Sequence, residues 1–334
     1  MFKHKNQISD FSELDLKLET KYKTKIQDIC PCCNNRTYIN PQLEFFRNDE
    51  IKNLPISKNS QTILLSLNCL EMCAKCGLIF TRKFTDTNFY YEFINTYYGM
   101  AGYPPSDEVL ELQLEKYKKI KQLITPIKTK NFFKPLKFLE VSSFYGVGLK
   151  QFSKQFDVTG IEPAYLAAKF SAEDTLLKNK VINDTYENSL HLLEKYDLVL
   201  FTHSFRQIAD QQLLLDSLPK ILTKNGIIAI TEGVFSDFIF CESFNSNKMH
   251  FSHYKSAYWN SINLQIAMGL RGFEIIDLAF FPELNKGSSP FSIAIFRFSG
   301  KLFNTLLHDE SLNLTKRIIA HHKNTLSSFQ NSAT

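Results

Sequence analysis

The chain has 334 residues, a length that can bury one large core and a smaller second unit. Of these residues 44% are hydrophobic and 22% charged, which is ordinary for a globular protein. Its formal net charge is 39 − 34 = +5, and the basic residues are spread along the chain, which disfavours a nucleic-acid partner. The longest apolar runs, such as 62–67 and 198–201, are too short for a membrane span, and the first residues are charged with no apolar run behind them. We therefore expect a cytoplasmic protein with no membrane partner.

Four of the seven cysteines form two C-x-x-C pairs in the first quarter of the chain. This spacing lets two thiolates from one tight turn bind the same tetrahedral Zn²⁺, and a reducing compartment favours metal over disulfides. Gly77, directly after the second pair, suits the positive φ that such a turn needs. We predict a structural zinc ion in a zinc-ribbon module, with Cys32 as an alternative ligand within the first pair. The predicted ligands are Cys30, Cys33, Cys73 and Cys76.

Composition divides the chain into four predicted segments. They are a polar N-terminal arm at 1–27, the zinc-ribbon module with an aromatic connecting segment at 28–105, an α/β domain at 106–300, and a C-terminal helix and tail at 301–334. The aromatic residues between 84 and 103 either pack the two modules together or cover a substrate site as a lid. Both interpretations stay open.

From residue 106 onwards, strand and helix patterns alternate. Ser106 followed by two acidic residues is typical of a helix start, and apolar spacing continues this helix to Pro126. The predicted strands are 137–143, 157–162, 181–184, 196–202, 226–232, 273–280 and 291–298. The predicted helices between them are 147–155, 164–177, 211–222 and 254–270. The pattern indicates an α/β fold with a Rossmann-like seven-stranded sheet, mostly parallel with a closing antiparallel pair.

Two strand tips carry an acidic residue. In open α/β sheets, ligands bind at the carboxyl ends of the strands, where turns and helix N-termini present free N–H groups. The first strand ends near Glu140 and leads into a turn with Gly146 and Gly148, and the second ends in Glu162. An acid about twenty residues beyond the first tip is placed to accept both ribose hydroxyls of an adenosine. The alternative is that Glu162 only caps the helix that follows it.

Three segments together resemble a class I S-adenosylmethionine-dependent methyltransferase: LEVSSFYGVGL, VTGIEPAYLAAKFSAE and YDLVLFTHSFRQIADQQLLLDSLPKILTKNGIIAITEG. The leader is similar to the zinc-binding leader of one branch of that superfamily: CPCC followed by CAKCGLIF, with tyrosines beyond. That branch includes deoxysugar C-methyltransferases and methyltransferases of surface-polysaccharide and natural-product pathways. The likeness covers about residues 28–300. It implies an enzyme that moves a methyl group from S-adenosylmethionine to a small-molecule acceptor, such as a nucleotide-linked sugar in carbohydrate biosynthesis.

The resemblance also implies which residues bind the cofactor. Ser142 and Phe144 stand where the family usually has glycines, and Phe144 adds bulk where the cofactor would press on the chain. A catalytically degenerate protein of the same fold, acting as a binding or assembly partner, is therefore the alternative interpretation. The implied cofactor-binding residues are Glu140, Ser142, Gly146, Glu162, Asp184 and Thr202.

A hydroxyl or carbon-acid acceptor needs a base within hydrogen-bond reach, and histidine titrates near neutrality. The family often has Leu-Glu-His after the fourth strand, whereas this chain has Phe-Arg-Gln at 205–207. The acid–base role of the Glu-His pair therefore cannot be carried over to this chain. For each candidate, the alternative is a surface or packing role. The candidates are His203 at the fourth strand tip, and His250, His253 and Tyr254 before the long helix. The acceptor atom and the oligomeric state stay open.

Overall fold

The computed structural model describes residues 24–40, 58, 70–85, 104–124, 135–232, 256–281, 291–302 and 308–317. Within them the chain forms a seven-stranded mixed sheet, a four-stranded sheet that carries the cysteines, and a two-stranded ribbon. None of the helices in these ranges combines the length and apolar character needed to cross a bilayer.

The strands of the first part of the chain are short. They are β1 Thr24–Ile26, β2 Tyr38–Ile39, β3 Leu70–Cys73, β4 Ile79–Thr81 and β5 Lys83–Thr85. β2, β3 and β4 pair antiparallel in that order, and β1, which lies in the segment predicted as an arm, pairs with β5. A distant strand, β11 Ala257–Tyr258, joins the free edge of β4 and completes the four-stranded sheet.

The large sheet contains seven further strands. They are β6 Leu136–Val141, β7 Phe156–Ile161, β8 Val181–Ile182, β9 Tyr196–Thr202, β10 Leu222–Glu232, β12 Phe273–Phe281 and β13 Phe291–Phe298. Their spatial order is β12-β13-β10-β9-β6-β7-β8; the strands from β10 to β8 are parallel, and β13 runs antiparallel to both of its neighbours. The predicted sheet, mostly parallel with a closing antiparallel pair, is confirmed. The chain order reverses between β6 and β9, and open α/β sheets bind ligands outside such a switch point.

The helices cover both faces of this sheet. They are α1 Asp107–Ile124, α2 Val147–Phe152, α3 Tyr165–Glu173, α4 Tyr186–Ser189, α5 Gln211–Ser217 and α6 Ser261–Gly269, and residues 308–317 are also helical. Alternate residues of β9 enter different cores: Leu198 and Leu200 pack on the side of α1 and α2, whereas Val199 and Phe201 pack on the side of α5 and α6. This period-two burial on both faces is typical of a parallel sheet covered by helices. The second core also contains the cysteines of the small sheet.

The helix predicted at 254–270 begins only at Ser261. Residues 254 and 255 lie outside the described part, and Ala257 and Tyr258 pair with β4 instead of turning into a helix. Asn260 then caps α6: its side chain accepts a hydrogen bond from the N–H of Asn263 at 2.7 Å, and the Asn263 side chain accepts from the N–H of Asn260 at 3.0 Å. Pairing with a distant strand has overridden the local helical pattern.

Other boundaries differ by a few residues. The helices predicted to end at 155, 177 and 222 end at Phe152, Glu173 and Ser217. β10 begins at Leu222, before the predicted 226, and its pairing with β9 is irregular between Leu222 and Ile227. The helix expected from residue 301 is not present at 301–302 and is found at 308–317.

Candidate metal centre and cofactor cleft

The four predicted cysteine ligands converge on one point. The Sγ atoms of Cys30 and Cys76 are 3.6 Å apart, those of Cys33 and Cys73 are also 3.6 Å apart, and all four lie within 4.8 Å of one another. In a tetrahedral site with Zn–S bonds of about 2.3 Å, neighbouring sulfurs are separated by roughly 3.8 Å. The spacing of these thiols therefore fits a single metal ion, and the cluster could hold one.

Each cysteine pair ends in a residue with left-handed backbone. After the first pair, Asn34 has φ 59° and its N–H donates to the carbonyl of Cys30 at 2.8 Å. After the second pair, Gly77 has φ 73° and its N–H donates to the carbonyl of Cys73 at 3.0 Å. A Cβ on Gly77 would lie 2.8 Å from the Cα of Leu312, so glycine is needed there for space as well as for conformation. The sequence predicted the second turn; Asn34 is the counterpart it missed.

The thiols influence one another's protonation. Burial raises the pKa of Cys30. The pKa of Cys33 and that of Cys73 are lowered instead, in both cases mainly by a hydrogen bond with Cys30. A cluster of this kind holds some thiolate charge, and a bound cation is what allows all four thiols to ionise together. Cys32 lies outside the cluster: its buried Sγ donates to the carbonyl of Asn263 at 3.2 Å. The cluster therefore uses Cys33, and Cys32 contacts α6.

The cysteine module is joined to the large sheet at several points. β11 adds to the edge of β4, and the hydroxyl of Ser311 donates to the carbonyl of Cys76 at 2.6 Å. Trp259, directly after β11, is fully buried in the core that also contains the cysteines. The cysteine cluster therefore belongs to the same folded body as the α/β domain.

A cleft of about 250 Å³ opens at the carboxyl ends of β6, β7 and β9, at the switch point of the sheet. α1 closes one wall, the turn after β6 forms another, and the tip of β9 lies opposite. The lining residues that matter for its chemistry are Lys116, Tyr117, Ser142, Phe144, Glu162 and His203. Thr202 also reaches the cleft, whereas the candidates His250, His253 and Tyr254 lie outside the described residues.

The turn after β6 has glycine-type backbone at two residues that are not glycine. Ser142, Phe144 and Gly146 have φ values of 61°, 49° and 73°, all in the left-handed region. For a non-glycine residue this conformation costs about 1–2 kcal/mol. The surroundings hold it in place: the N–H of Ser143 donates to the carbonyl of Ile161 at 3.0 Å, and the N–H of Gly146 donates to that of Ser143 at 2.9 Å.

Glu162 holds this turn and also faces the cleft. One oxygen of its carboxylate accepts from the N–H of Phe144 at 2.6 Å, and the other accepts from the N–H of Ala164 at 2.7 Å, at the start of α3. Burial raises the pKa of Glu162 to about 7, although the two hydrogen bonds from backbone N–H groups act to lower it. The N–H of Ala164 belongs to the residue just before the first turn of α3, so the carboxylate fixes the entry to the helix without capping its N–H groups. Because each carboxylate oxygen can accept about two hydrogen bonds, Glu162 keeps acceptor capacity towards the cleft, and its binding of a ribose stays a prediction.

Glu140 lies beneath the cleft. Its carboxyl group is fully buried and accepts from the hydroxyl of Tyr117 at 2.5 Å and from that of Thr202 at 3.2 Å. Burial raises its pKa to about 8, so the group carries a proton at neutral pH. A Cβ on Gly148 would lie 2.4 Å from Oε2 of Glu140, which explains the second glycine of the turn. Glu140 thus supports the wall of the cleft from inside.

Asp184 forms hydrogen bonds with the residues that directly follow it in the chain. Its Oδ1 accepts from the N–H of Thr185 at 2.8 Å and from the side chain of Asn188 at 2.9 Å, which fixes the start of α4. A neighbouring void between the tips of β7, β8 and β9 measures only about 20 Å³. A role for Asp184 at the cofactor stays a prediction.

Lys116 is one of the cleft residues that sequence reasoning missed. Its Nζ contacts Nε2 of His203 and lies 5.2 Å from the centre of the Phe291 ring. Burial lowers its pKa to about 7, while the charges of Glu232 and Glu140 act in the opposite direction. The available signal was its spacing: Lys116 lies four residues before the buried Ile120 and so shares the inner face of α1.

Two residues of the Phe-Arg-Gln segment after β9, Phe205 and Arg206, are bound to the surrounding structure, whereas Gln207 lines the cleft. The Nε of Arg206 donates to the buried carboxylate of Glu232 at 2.6 Å. The hydroxyl of Ser256 donates to the carbonyl of Arg206 at 2.9 Å, and the side chain of Gln211 donates to that of Phe205 at 2.9 Å. The indole N–H of Trp259 donates to Gln211 at 3.2 Å. These bonds connect the wall of the cleft to the strand that joins the cysteine module.

The strand order, the reversed final hairpin and the cleft at the switch point together define an open, Rossmann-like α/β fold. No family model matches the sequence, and no curated protein matches it either. Comparison with solved structures found S-adenosylmethionine-dependent methyltransferases at low similarity. The strand order of the described sheet, rather than these similarities, identifies the fold.

Three of the similar structures illustrate how low the sequence identity and the TM-score are. The N-methyltransferase NodS of Bradyrhizobium japonicum WM9 is 12% identical with a TM-score of 0.41, and the match covers 56% of this chain and 97% of that one. A methyltransferase of Thermotoga maritima is 16% identical with a TM-score of 0.41, covering 64% and 99%. A methyltransferase of Leishmania major is 14% identical with a TM-score of 0.46, covering 63% and 85%.

Proposed function

We propose that the protein is an S-adenosylmethionine-dependent methyltransferase that acts on a small-molecule acceptor, with nucleotide-linked sugars as the first class to test. The observation that carries this proposal is the position of Glu162. Its carboxylate lines a cleft at the switch point of the sheet, beside a turn whose alternate residues have left-handed backbone. An acid at that strand tip is placed to accept ribose hydroxyls.

The residues of the cleft fit such a cofactor in kind. Glu162 retains acceptor capacity for the ribose, and the turn that carries Ser142 and Gly146 brings backbone close to the space that Thr202 borders from the other side. The volume of about 250 Å³ lies just below the range of ordinary ligand sites, about 300–1,000 Å³. When bound, S-adenosylmethionine supplies an electrophilic methyl group. The protein has to bind and align the acceptor, and alignment alone can lower a barrier by about 7–11 kcal/mol.

The proposal includes a structural Zn²⁺ held by the four-cysteine cluster. Four sulfur ligands close a tetrahedral site, so the ion would have no open position at which to activate water. Its role would be to hold together two short turns and three short strands whose own core is small. The cleft and the metal centre would then have separate tasks, one chemical and one structural.

Calorimetric titration of the purified chain with S-adenosylmethionine and S-adenosylhomocysteine tests the function. We expect saturable binding of both, and a loss of at least tenfold in affinity for Glu162→Ala, which removes the acceptor of the ribose. Glu173→Ala, which removes an exposed carboxylate at the end of the adjacent helix α3, is the matched control and should bind normally. Melting curves of each variant separate lost binding from lost folding. Absence of binding by the folded wild type would overturn the proposal.

The second candidate function is a catalytically inactive protein of the same fold. It is favoured by one observation: both oxygens of Glu162 already accept backbone N–H groups, and the void beyond it, towards β8, is only about 20 Å³. That void cannot admit an adenine ring without movement of its walls. The same titration decides between the two candidates. If both ligands bind, transfer of a labelled methyl group to a panel of nucleotide-linked sugars then tests the acceptor class.

A further inference from the structure

The side chain of Lys116 is held in place at the wall of the cleft. It projects from α1 between two other cleft residues, Gln113 and Tyr117, and its Nζ contacts Nε2 of His203 at the tip of β9. His203 is itself fixed, because its backbone has φ 56° and its N–H donates to the carbonyl of Thr231 at 2.8 Å. The amine and the imidazole therefore form one proton-exchanging pair that faces the cleft.

Charged and titratable groups surround this pair on several elements. Glu232, on β10, is already paired with Arg206 at 2.6 Å, and burial favours the protonated form of Glu140. Within the described ranges no carboxylate forms an ion pair with Lys116, and burial brings its pKa to about 7. Near neutral pH, the amine can thus be found with or without its proton. The groups that face it are His203, Glu140, Glu232 with Arg206, Tyr117 on the same helix, and Glu162 across the cleft.

We propose that Lys116 is the proton acceptor of the methyl transfer and that a positive charge bound in the cleft displaces the proton from its amine. This inference rests on the proposed function. Lys116 lines the cleft, so a charge bound inside it would be near Nζ, on the order of 6 Å away. At an effective dielectric constant of about 20, two positive charges at this distance disfavour each other by roughly 100-fold. The sulfonium of S-adenosylmethionine has such a charge, and S-adenosylhomocysteine lacks it.

The reaction step follows from this arrangement. The proton of the acceptor moves to the free electron pair of Nζ, the acceptor atom bonds to the methyl carbon, and the electron pair of the broken carbon–sulfur bond stays on sulfur. Once the positive charge in the cleft is gone, Lys116 keeps the proton more readily. It can then release the proton to His203 or to solvent, which returns the pair to its starting state. Lys116 thus becomes a base when the cofactor is loaded.

The test compares how tightly the two ligands bind to the wild type and to variants of residue 116, and it needs no methyl acceptor. The affinities of S-adenosylmethionine and S-adenosylhomocysteine are measured by calorimetry between pH 6 and pH 8.5 for the wild type, Lys116→Met and Lys116→Arg. Arginine stays charged at every pH in this range, whereas methionine is never charged. We expect the ratio of the two affinities to favour S-adenosylmethionine 10- to 100-fold more in the methionine variant than in the arginine variant.

The affinity ratio of the wild type should change with pH, between the values of the arginine and methionine variants. At pH 8.5 its affinity ratio should equal that of Lys116→Met, and by pH 6 it should have fallen about tenfold towards that of Lys116→Arg, because S-adenosylmethionine selects the unprotonated amine. Any remaining pH dependence in the methionine variant reports the other titratable groups of the cleft. Titration in two buffers of different ionisation enthalpy should show that S-adenosylmethionine releases close to one proton from the wild type near pH 6.5 and none attributable to residue 116 from either variant.

The outcomes separate the two proposals. Lys118→Met, on the exposed face of the same helix, is the matched control and should behave as the wild type. If neither ligand binds the folded wild type, the proposed function fails. If both bind but the arginine and methionine variants show the same affinity ratio, or the wild-type ratio follows the methionine variant at every pH, only the role of Lys116 is overturned.

Discussion

The carboxylate of Glu162 accepts a hydrogen bond from the backbone N–H of Phe144 at 2.6 Å, so the tip of β7 holds the turn after β6 in its left-handed form. A second bond supports the same residue, because the hydroxyl of Ser171 donates to the carbonyl of Phe144 at 3.0 Å. Left-handed backbone at a residue that is not glycine is thus maintained by neighbouring side chains. The acid that we propose as the ribose ligand is also the acid that shapes the cofactor turn.

The first prediction concerns strain at Phe144. Phe144→Gly and Phe144→Ala both remove the ring, but only glycine adopts φ 49° without a steric penalty. We expect the glycine variant to be more stable than the alanine variant by about 1 kcal/mol in chemical denaturation. The comparison is internally controlled, because both variants lose the same ring contacts with Tyr145. Equal stability of the two variants would show that residue 144 does not have left-handed backbone.

The second prediction is a pH dependence caused by Glu140. Burial raises its pKa to about 8 in the folded chain, above the ordinary value of 4.5, so the folded state holds a proton that the unfolded state has lost. This group therefore stabilises the fold fully below about pH 4.5, and that contribution declines by up to about 1.4 kcal/mol per pH unit towards pH 8.

Glu140→Gln imitates the protonated carboxyl and should remove this slope. We expect the stability of the variant relative to wild type to improve steadily from pH 5 to pH 8 in urea denaturation. Glu173→Gln, at an exposed carboxylate, should leave the slope unchanged. Parallel wild-type and Glu140→Gln curves across this range would mean that Glu140 is ionised in the fold.

Much of the sheet could be predicted from the sequence because its signals are local. β9 Tyr196–Thr202 and β13 Phe291–Phe298 have the predicted bounds, since each is a mostly apolar segment with clear ends. β11 could not be predicted in this way. Ala257 and Tyr258 form a strand only because β4, far away in the chain, presents a free edge to them.

The candidate site shows the same division. The cysteine pairs were predicted correctly as one cluster because the C-x-x-C spacing contains the geometry of each turn. Glu162 was found from its distance along the chain to the first strand tip. Lys116 was missed because a lysine on a helix is normally exposed, and its position in the cleft depends on contact with the tip of β9. Glu140 lies beneath Tyr117, which only the packing of α1 determines.

The third prediction concerns the metal. We expect one zinc ion per chain by elemental mass spectrometry, and loss of the ion together with a lower melting temperature after treatment with a strong chelator. Cys33→Ser should lose the ion, whereas Cys32→Ser, at the neighbouring thiol that faces the carbonyl of Asn263, should keep it. Because the cysteines share a core with Val199 and Phe201 of β9, the loss should also destabilise the large sheet. Full metal content in Cys33→Ser would contradict the assignment of this cluster.

The fourth prediction concerns the buried ion pair beneath the cleft wall. Glu232→Gln leaves Arg206 charged and buried without its partner, which should destabilise the fold by about 3–5 kcal/mol, whereas Arg206→Met combined with Glu232→Met should recover most of that loss. The exposed pair of Lys180 and Asp157 has a similar N–O distance, 2.7 Å, yet Lys180→Met should change stability by less than about 1 kcal/mol. Denaturant unfolding of the single and double variants measures both pairs. A double variant no more stable than Glu232→Gln would show that hydrogen bonds to the backbone, and not the unpaired charge, account for the loss.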